Sequence, residues 1–221
     1  VATSGDTGKA ALEGFADVEG TEIIVFYPSE GVSDLQKLQM MTQKGDNVYV
    51  AGIKGNFDDA QTGVKNLFSS AEFAEQVNAT GRVLSSANSI NFGRLVPQIV
   101  YYFSAYADLL KAGVIALGDP VNFVVPTGNF GNILAAVYAK QMGIPIGKFI
   151  CASNKNNILT DFLTTGVYDR NRPFYKTVSP SMDILVSSNL ERLLFLLSQD
   201  ADLVAGLMAS LSETGAYSVP A

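Results

Sequence analysis

Residues 122–139 read NFVVPTGNFGNILAAVYA: an apolar, β-branched run from Asn122 to Val125, a turn from Pro126 to Gly131, and a stretch from Ile133 to Ala139 that is apolar on every side. A short β-branched run closed by proline and glycine reads as a buried strand, and a segment with no polar face reads as a helix buried all round. Gly143 and Pro145 stop that helix, Phe149 to Ala152 forms the next strand, and Asn157 to Thr165 the next helix. Strands alternating with helices in this way build parallel sheets covered by helices.

The same alternation stands upstream. Val1-Ala2 reads as a strand end, Thr3-Ser4-Gly5-Asp6-Thr7-Gly8 as a tight turn, and Ala11, Leu12, Phe15 and Ala16 recur at helical spacing. Ile23 to Tyr27 is a strand closing at Pro28. Ser33 with Gln36 forms a capping box for a helix carrying Leu35, Leu38 and Met41, which Gly45 ends. Asn47 to Ala51 is a further strand, and beyond the Gly55-Asn56 turn Ala60, Val64, Leu67 and Phe68 mark a helix face. From Gly81 to Gly93 the chain is small and polar. Leu95, Ile99, Tyr102, Phe103, Tyr106, Leu109 and Leu110 then trace one long amphipathic helix, and the tail from Glu191 to Thr214 reads as helical. The expected architecture is α/β: two adjoining open parallel-sheet units with helices on both faces, a small lobe over 1–80 and a large lobe over 81–221 that holds the glycine turn.

Composition narrows the chemistry. With 221 residues and 48% hydrophobic content the chain is long enough for one large core or two small ones. A formal net charge of -6 and scattered lysines and arginines argue against a nucleic-acid partner. No apolar run reaches the roughly 18 to 20 residues of a bilayer span, so no membrane partner is expected and the chain reads as soluble and cytoplasmic. The single cysteine, Cys151, lies in an apolar run and reads as a buried, inert thiol. There is no histidine, which removes Ser-His-Asp and Cys-His sites and most metal constellations; no metal is expected.

Three polar turns fall where strands lead into helices, the place where α/β sheets bind ligands. Thr3 to Gly8 offers backbone N–H groups and hydroxyls suited to a carboxylate, and equally fits a glycine turn with Asp6 or Thr7 as an ordinary helix cap. Pro126 to Asn132 resembles a phosphate cup, because glycines admit an anion to the backbone and the helix start supplies a favourable field. It matches neither the dinucleotide fingerprint nor the P-loop. Ser86 to Arg94 could present amides, a hydroxyl and a guanidinium to an anion, or could cap and flank the long helix through Ser89, Asn91 and Arg94. Asn154 to Asn157, and Arg170 with Arg172 near Pro173, read as loop surface.

In this order and spacing, T-S-G-D-T-G, S-A-N-S-I-N with Arg94, and P-T-G-N-F-G-N resemble threonine synthase of the bacterial and fungal type, and the likeness extends over most of residues 1 to 183. The resemblance implies the pyridoxal-phosphate fold shared with tryptophan synthase β and cysteine synthase. It also implies a carbon–oxygen lyase of threonine biosynthesis that converts O-phosphohomoserine and water to threonine and phosphate. Gly128, Asn129, Phe130, Gly131 and Asn132 match the loop that holds the phosphate of pyridoxal 5'-phosphate, largely through backbone amides. Ser4, Gly5, Asp6 and Thr7 match the loop that receives the substrate carboxylate. Asn88, Ser89, Asn91 and Arg94 match a stretch lining the active site, with Arg94 facing the substrate phosphate. In such enzymes the cofactor is the electron sink and a Schiff-base lysine moves protons, so no imidazole is needed. That lysine belongs upstream of Thr3, and no lysine present matches it, so no catalytic residue is assigned and the chain by itself is expected to be inert and to self-associate through opened sheet edges. A threonine-synthase-like phospho-lyase and a non-catalytic module binding a phosphorylated metabolite are the competing expectations.

Overall fold

In the computed structural model, which describes residues 1–3, 5–89 and 91–219, the chain divides into two compact units, Val1–Asn91 and Phe92–Ala221. The first is built on two parallel strands, β1 (Ile23–Pro28) and β2 (Val48–Ile53), paired in unbroken register from Ile23 with Val48 to Pro28 with Ile53. Side chains alternate between the two faces of a strand, and β1 uses both faces. Ile23, Val25 and Tyr27 pack with Ala11 and Leu12 of α1 (Asp6–Phe15) and with Met40 of α2 (Asp34–Met41). Phe26, on the opposite face, packs with Ala2 and with Ala60 and Val64 of α3 (Phe57–Ser69).

The helix starts follow from local chemistry. Ser33 and Gln36 form the expected capping box, and Asn56 with Asp59 forms a second one at α3. Helix α4 (Ala71–Ala79), which the sequence reading left out, begins where the Ser70 hydroxyl accepts from the Phe73 amide at 3.2 Å. None of its residues is buried, so it carries no apolar stripe by which to find it. Residues 81–91, grouped with the second lobe in the sequence reading, are tied to the first unit. The Asn88 side chain donates to the Ala2 carbonyl at 2.7 Å and accepts from the Ala2 amide at 3.1 Å.

The second unit begins with the expected long helix, α5 (Phe92–Lys111). Strands β3 (Val121–Pro126) and β4 (Ile146–Ala152) pair in parallel around α6 (Gly131–Gln141). Their register shifts between Val121 and Phe123, where the Asn122 side chain accepts from the Lys148 amide at 2.8 Å. Ile133, Leu134, Ala135, Ala136 and Ala139 of α6 are all buried, as an all-apolar helix requires. They share a core with Leu95 and Tyr102 of α5, Val125 of β3 and Ile158, Leu159 and Phe162 of α7 (Ile158–Thr165). The opposite face of this sheet, carrying Val124 and Ile150, is exposed.

Two features of the second unit depart from the reading. Strands β5 (Val167–Asp169) and β6 (Ala216–Ser218) form an antiparallel ribbon of three residues each, too short to show periodicity, held by Tyr168 stacked on Tyr217 with ring centroids 5.1 Å apart. The single helical tail is two helices, α8 (Leu190–Ser198) and α9 (Ala201–Thr214). The break is local: Gln199 takes a left-handed conformation and Asp200 caps α9 by accepting from the Leu203 amide at 2.9 Å. Among the described residues no helix is long and apolar enough to cross a membrane.

Gly8 of α1 gives a sharp test of the first core. Alanine is the better helix former by about 1 kcal/mol, but a β-carbon at Gly8 would sit 2.5 Å from Thr3 Cγ2 and 2.9 Å from both Met40 Sδ and Val25 Cγ1. Crowding should win, and Gly8→Ala is expected to lower stability by about 1–3 kcal/mol in urea denaturation. A stabilised variant would show that the α1–β1 contact is looser than described.

Candidate functional site

The turn after β3 is shaped by two residues in unusual conformations. Gly128 has φ +42°, and Phe130, the residue before α6, is left-handed at φ +64°. A left-handed residue with a side chain costs roughly 1–2 kcal/mol. Burial of the Phe130 ring in the core gives back about 1.5–3 kcal/mol, enough to hold the conformation. The turn is pinned at its start, where the Thr127 amide donates to the Ala152 carbonyl at 2.8 Å.

The amides divide into two groups. The Phe130 N–H donates to the Thr127 carbonyl at 2.9 Å, so that residue serves the turn through its conformation and buried ring. The N–H groups of Gly128, Asn129, Gly131 and Asn132 have no acceptor among the described residues. Gly131 and Asn132 are the first two residues of α6, and free donors at a helix start suit an anion. The Asn132 side chain is committed elsewhere: Tyr102 Oη lies 2.8 Å from the Asn132 carbonyl and 2.5 Å from its Oδ1, and its Nδ2 donates to Gln98 Oε1 at 3.1 Å. Gln98 in turn donates to the Arg94 carbonyl at 2.8 Å, which connects the start of α5 to α6.

The opposing wall comes from residues the sequence reading did not single out. The Asn189 amide and its Nδ2 both donate to the Asn129 carbonyl, at 3.1 and 3.0 Å, and the Ser187 hydroxyl donates to the Gly128 carbonyl at 3.4 Å. Two buried oxygens here have no partner among the described residues, Asn129 Oδ1 and Ser188 Oγ. A buried polar atom left unpaired in a native fold calls for a ligand or a bound water.

Asn154 and Asn156 are also more than loop surface. Asn156 and Asp183 are buried, and Asp183 accepts from Asn154 Nδ2 (2.7 Å), Asn156 Nδ2 (3.1 Å), Thr177 N (2.8 Å) and Thr177 Oγ1 (2.7 Å). This network fastens residues 175–183 to the end of β4, and the Ser181 carbonyl then lies 3.8 Å from where a β-carbon on Gly128 would be. Asparagines after a strand look like a solvated turn; only a carboxylate 27 residues from Asn156 reveals their role. Arg172 pairs with Asp161 at 2.7 Å and Arg170 donates to the Ser212 carbonyl at 3.4 Å, both structural contacts.

In the first unit, α1 begins at Asp6 with Gly5 as its cap residue, and no side chain caps it in the ordinary way. The buried Thr3 hydroxyl accepts instead from the Gly5 and Gly8 amides at 2.9 and 2.8 Å. Asp6 is exposed and accepts from Gln36 Nε2 at 2.7 Å. The Thr7 amide and hydroxyl have no partner among the described residues. Ser4 lies outside the described residues. The unit brings the first and third turns together, because both polar groups of the Asn88 side chain are taken up by Ala2. Asn91 closes the third turn, its Nδ2 donating to the Ser86 carbonyl at 2.8 Å and its amide to the Asn88 carbonyl at 2.9 Å. Ser89 and Arg94 are half-buried.

No group of three or more histidine, cysteine or acidic residues placed to hold a metal occurs among the described residues. Burial pushes the Cys151 thiol up from its ordinary value, which leaves it protonated and unreactive near neutral pH. Burial likewise pushes the Tyr102 hydroxyl up to about 12. The folded state therefore favours the neutral phenol, and its contribution is complete below the ordinary tyrosine value near 10 and lost as pH rises toward 12. Stability measured by denaturation should fall between pH 10 and 12, and Tyr102→Phe should flatten that part of the profile. An identical alkaline decline in the variant would remove Tyr102 from the account.

No protein-family model matches the chain. It is 52% identical over 219 residues to Threonine synthase-like 1 of Homo sapiens, covering 96% of this chain and 30% of that protein. It is 44% identical over 222 residues to threonine synthase of Pseudomonas aeruginosa, covering 99% of this chain and 44% of that protein. Among solved structures it is similar to the PLP-bound threonine synthase from Brucella melitensis, with a TM-score of 0.82 and 43% identity over 99% of this chain and 45% of that one. The chain thus spans less than half the length of these relatives. The two parallel-sheet units flanked by helices are the fold of that enzyme, as the sequence reading expected.

Proposed function

The chain belongs to the threonine synthase family, and we propose that the whole protein is a cytoplasmic, pyridoxal-phosphate-dependent lyase that converts O-phosphohomoserine and water to threonine and phosphate. The observation that carries this reading is the turn Gly128–Asn132, in which four amides have no acceptor among the described residues and are available to a phosphate group. The residues fit the cofactor's anionic end: glycine admits close approach, the start of α6 adds a positive field, and the buried Ser188 hydroxyl, without a partner among the described residues, is a further donor. Pyridoxal 5'-phosphate, when bound, supplies the electron sink that makes the Cα proton of an amino acid removable.

The chain's own residues then act by holding and orienting. The amides of Gly128, Asn129, Gly131 and Asn132 take the phosphate, while the αL turn at Phe130 sets their direction. Ser4, Gly5, Asp6 and Thr7 receive the substrate carboxylate, a role supported by the unpartnered donors of Thr7 at the start of α1. Ser89 and Asn91 belong to the stretch that lines the active site, and Arg94 serves the substrate phosphate. Asn88 acts by position, fixing the third turn to Ala2 rather than touching a ligand.

Identity of 52% to Threonine synthase-like 1 against 44% to the Pseudomonas enzyme favours a second reading, a threonine-synthase-like phospho-lyase that uses the same turns and releases a keto acid. Product analysis of the full-length protein with O-phosphohomoserine separates them. Threonine and phosphate in equal amounts are expected; phosphate with a keto acid would establish the lyase, and no turnover of a phosphorylated amino acid would end both readings.

A further inference from the structure

We propose that Asn189, held by Arg192, is a positioning residue for the anion turn; this rests on reading Gly128–Asn132 as the phosphate cradle. Asn189 is fully buried and stands at the start of α8, where an asparagine side chain ordinarily accepts from the first free amides of its own helix. Here it makes no such cap. Instead Nδ2 joins the Asn189 backbone amide in donating to one oxygen, the carbonyl of Asn129. Forgoing a cap costs a helix about 1 kcal/mol. A local rule broken in favour of a distant contact marks a functional constraint.

The contact is aimed by its neighbours. Arg192 Nη1 donates to Asn189 Oδ1 at 2.6 Å, which fixes the orientation of the carboxamide so that its nitrogen faces the turn. Two residues earlier, Ser187 donates to the Gly128 carbonyl. Ser187 is itself set by the buried Tyr168 hydroxyl, which accepts from the Ser187 amide at 3.0 Å and donates to the Leu185 carbonyl at 3.0 Å. A trans peptide is planar, with carbonyl and N–H opposed. Holding the Gly128 carbonyl therefore turns the Asn129 amide away from Ser187. Holding the Asn129 carbonyl fixes the plane that leads into Phe130 and the α6 start, and so the directions of the Gly131 and Asn132 amides.

The test is a titration of the ¹⁵N-labelled chain with inorganic phosphate, followed at the amides of Gly128, Asn129, Gly131 and Asn132. In the unsubstituted chain these amides are expected to shift on addition of phosphate. Asn189→Ala should weaken phosphate binding about tenfold, the effect of losing one buried hydrogen bond and its alignment, while the resonances of β1 and β2 stay in place. Arg192→Met, which keeps the stem and has no donor, should weaken it less, and Arg192→Lys, which keeps a donor for Oδ1, should restore it. A merely structural role would not be rescued in this way. Phosphate affinity in Asn189→Ala equal to the parent would overturn the proposal, and if that variant does not fold, an unchanged affinity in Arg192→Met overturns it instead. No shift in the unsubstituted chain would remove the phosphate cradle itself, and the proposal with it, an outcome distinct from a responsive parent with unaffected variants.

Discussion

A peptide plane cannot point its carbonyl and its amide the same way, and the turn after β3 is organised by that constraint. Ser187 and Asn189 hold the carbonyls of Gly128 and Asn129 on one side. Thr127 takes the Phe130 amide, and the remaining four amides are left without intramolecular acceptors among the described residues. None of this requires a charged side chain in the turn. Backbone dipoles fixed by packing do not have to reorganise when an anion arrives, so a turn of this kind needs no basic side chain of its own to offset a net charge of -6.

Each partner in that arrangement is placed by core packing at some distance. Phe130 is held left-handed because its ring is buried with Leu95, Val125 and Ile133. Tyr168 reaches Ser187 because it stacks on Tyr217 across the β5–β6 ribbon, with Phe162 edge-on to both rings. Asn132 is fixed from the other side by Tyr102 and Gln98 of α5. The site thus depends on the apolar core for its geometry and on very few side chains for its chemistry.

Much of this was legible in the sequence because it is local. The all-apolar α6, the β-rich run of β1 and the Ser33–Gln36 capping box are short-range patterns, and each appears where its residues predict. The glycine turn was visible for the same reason, since Gly-Asn-Phe-Gly-Asn between strand and helix has few structural uses. What escaped was non-local. The clamp from Asn189 to Asn129 joins residues 60 apart, and the contacts of Asn154 and Asn156 with Asp183 span 29 and 27 residues. An asparagine before a helix looks like a cap whether it faces its own helix or another segment. The β5–β6 ribbon was hidden because three residues per strand show no period.

The bonds between Asn88 and Ala2 have a further meaning for solubility. Ala2 runs beside Phe26 as a short edge segment, and a carboxamide carries the same donor and acceptor as a main-chain amide. Asn88 therefore completes the ladder as a counterfeit strand one group long. An edge finished by a side chain offers no open rung at Ala2 to a passing polypeptide, and growth of the sheet by recruitment of another chain is blocked there.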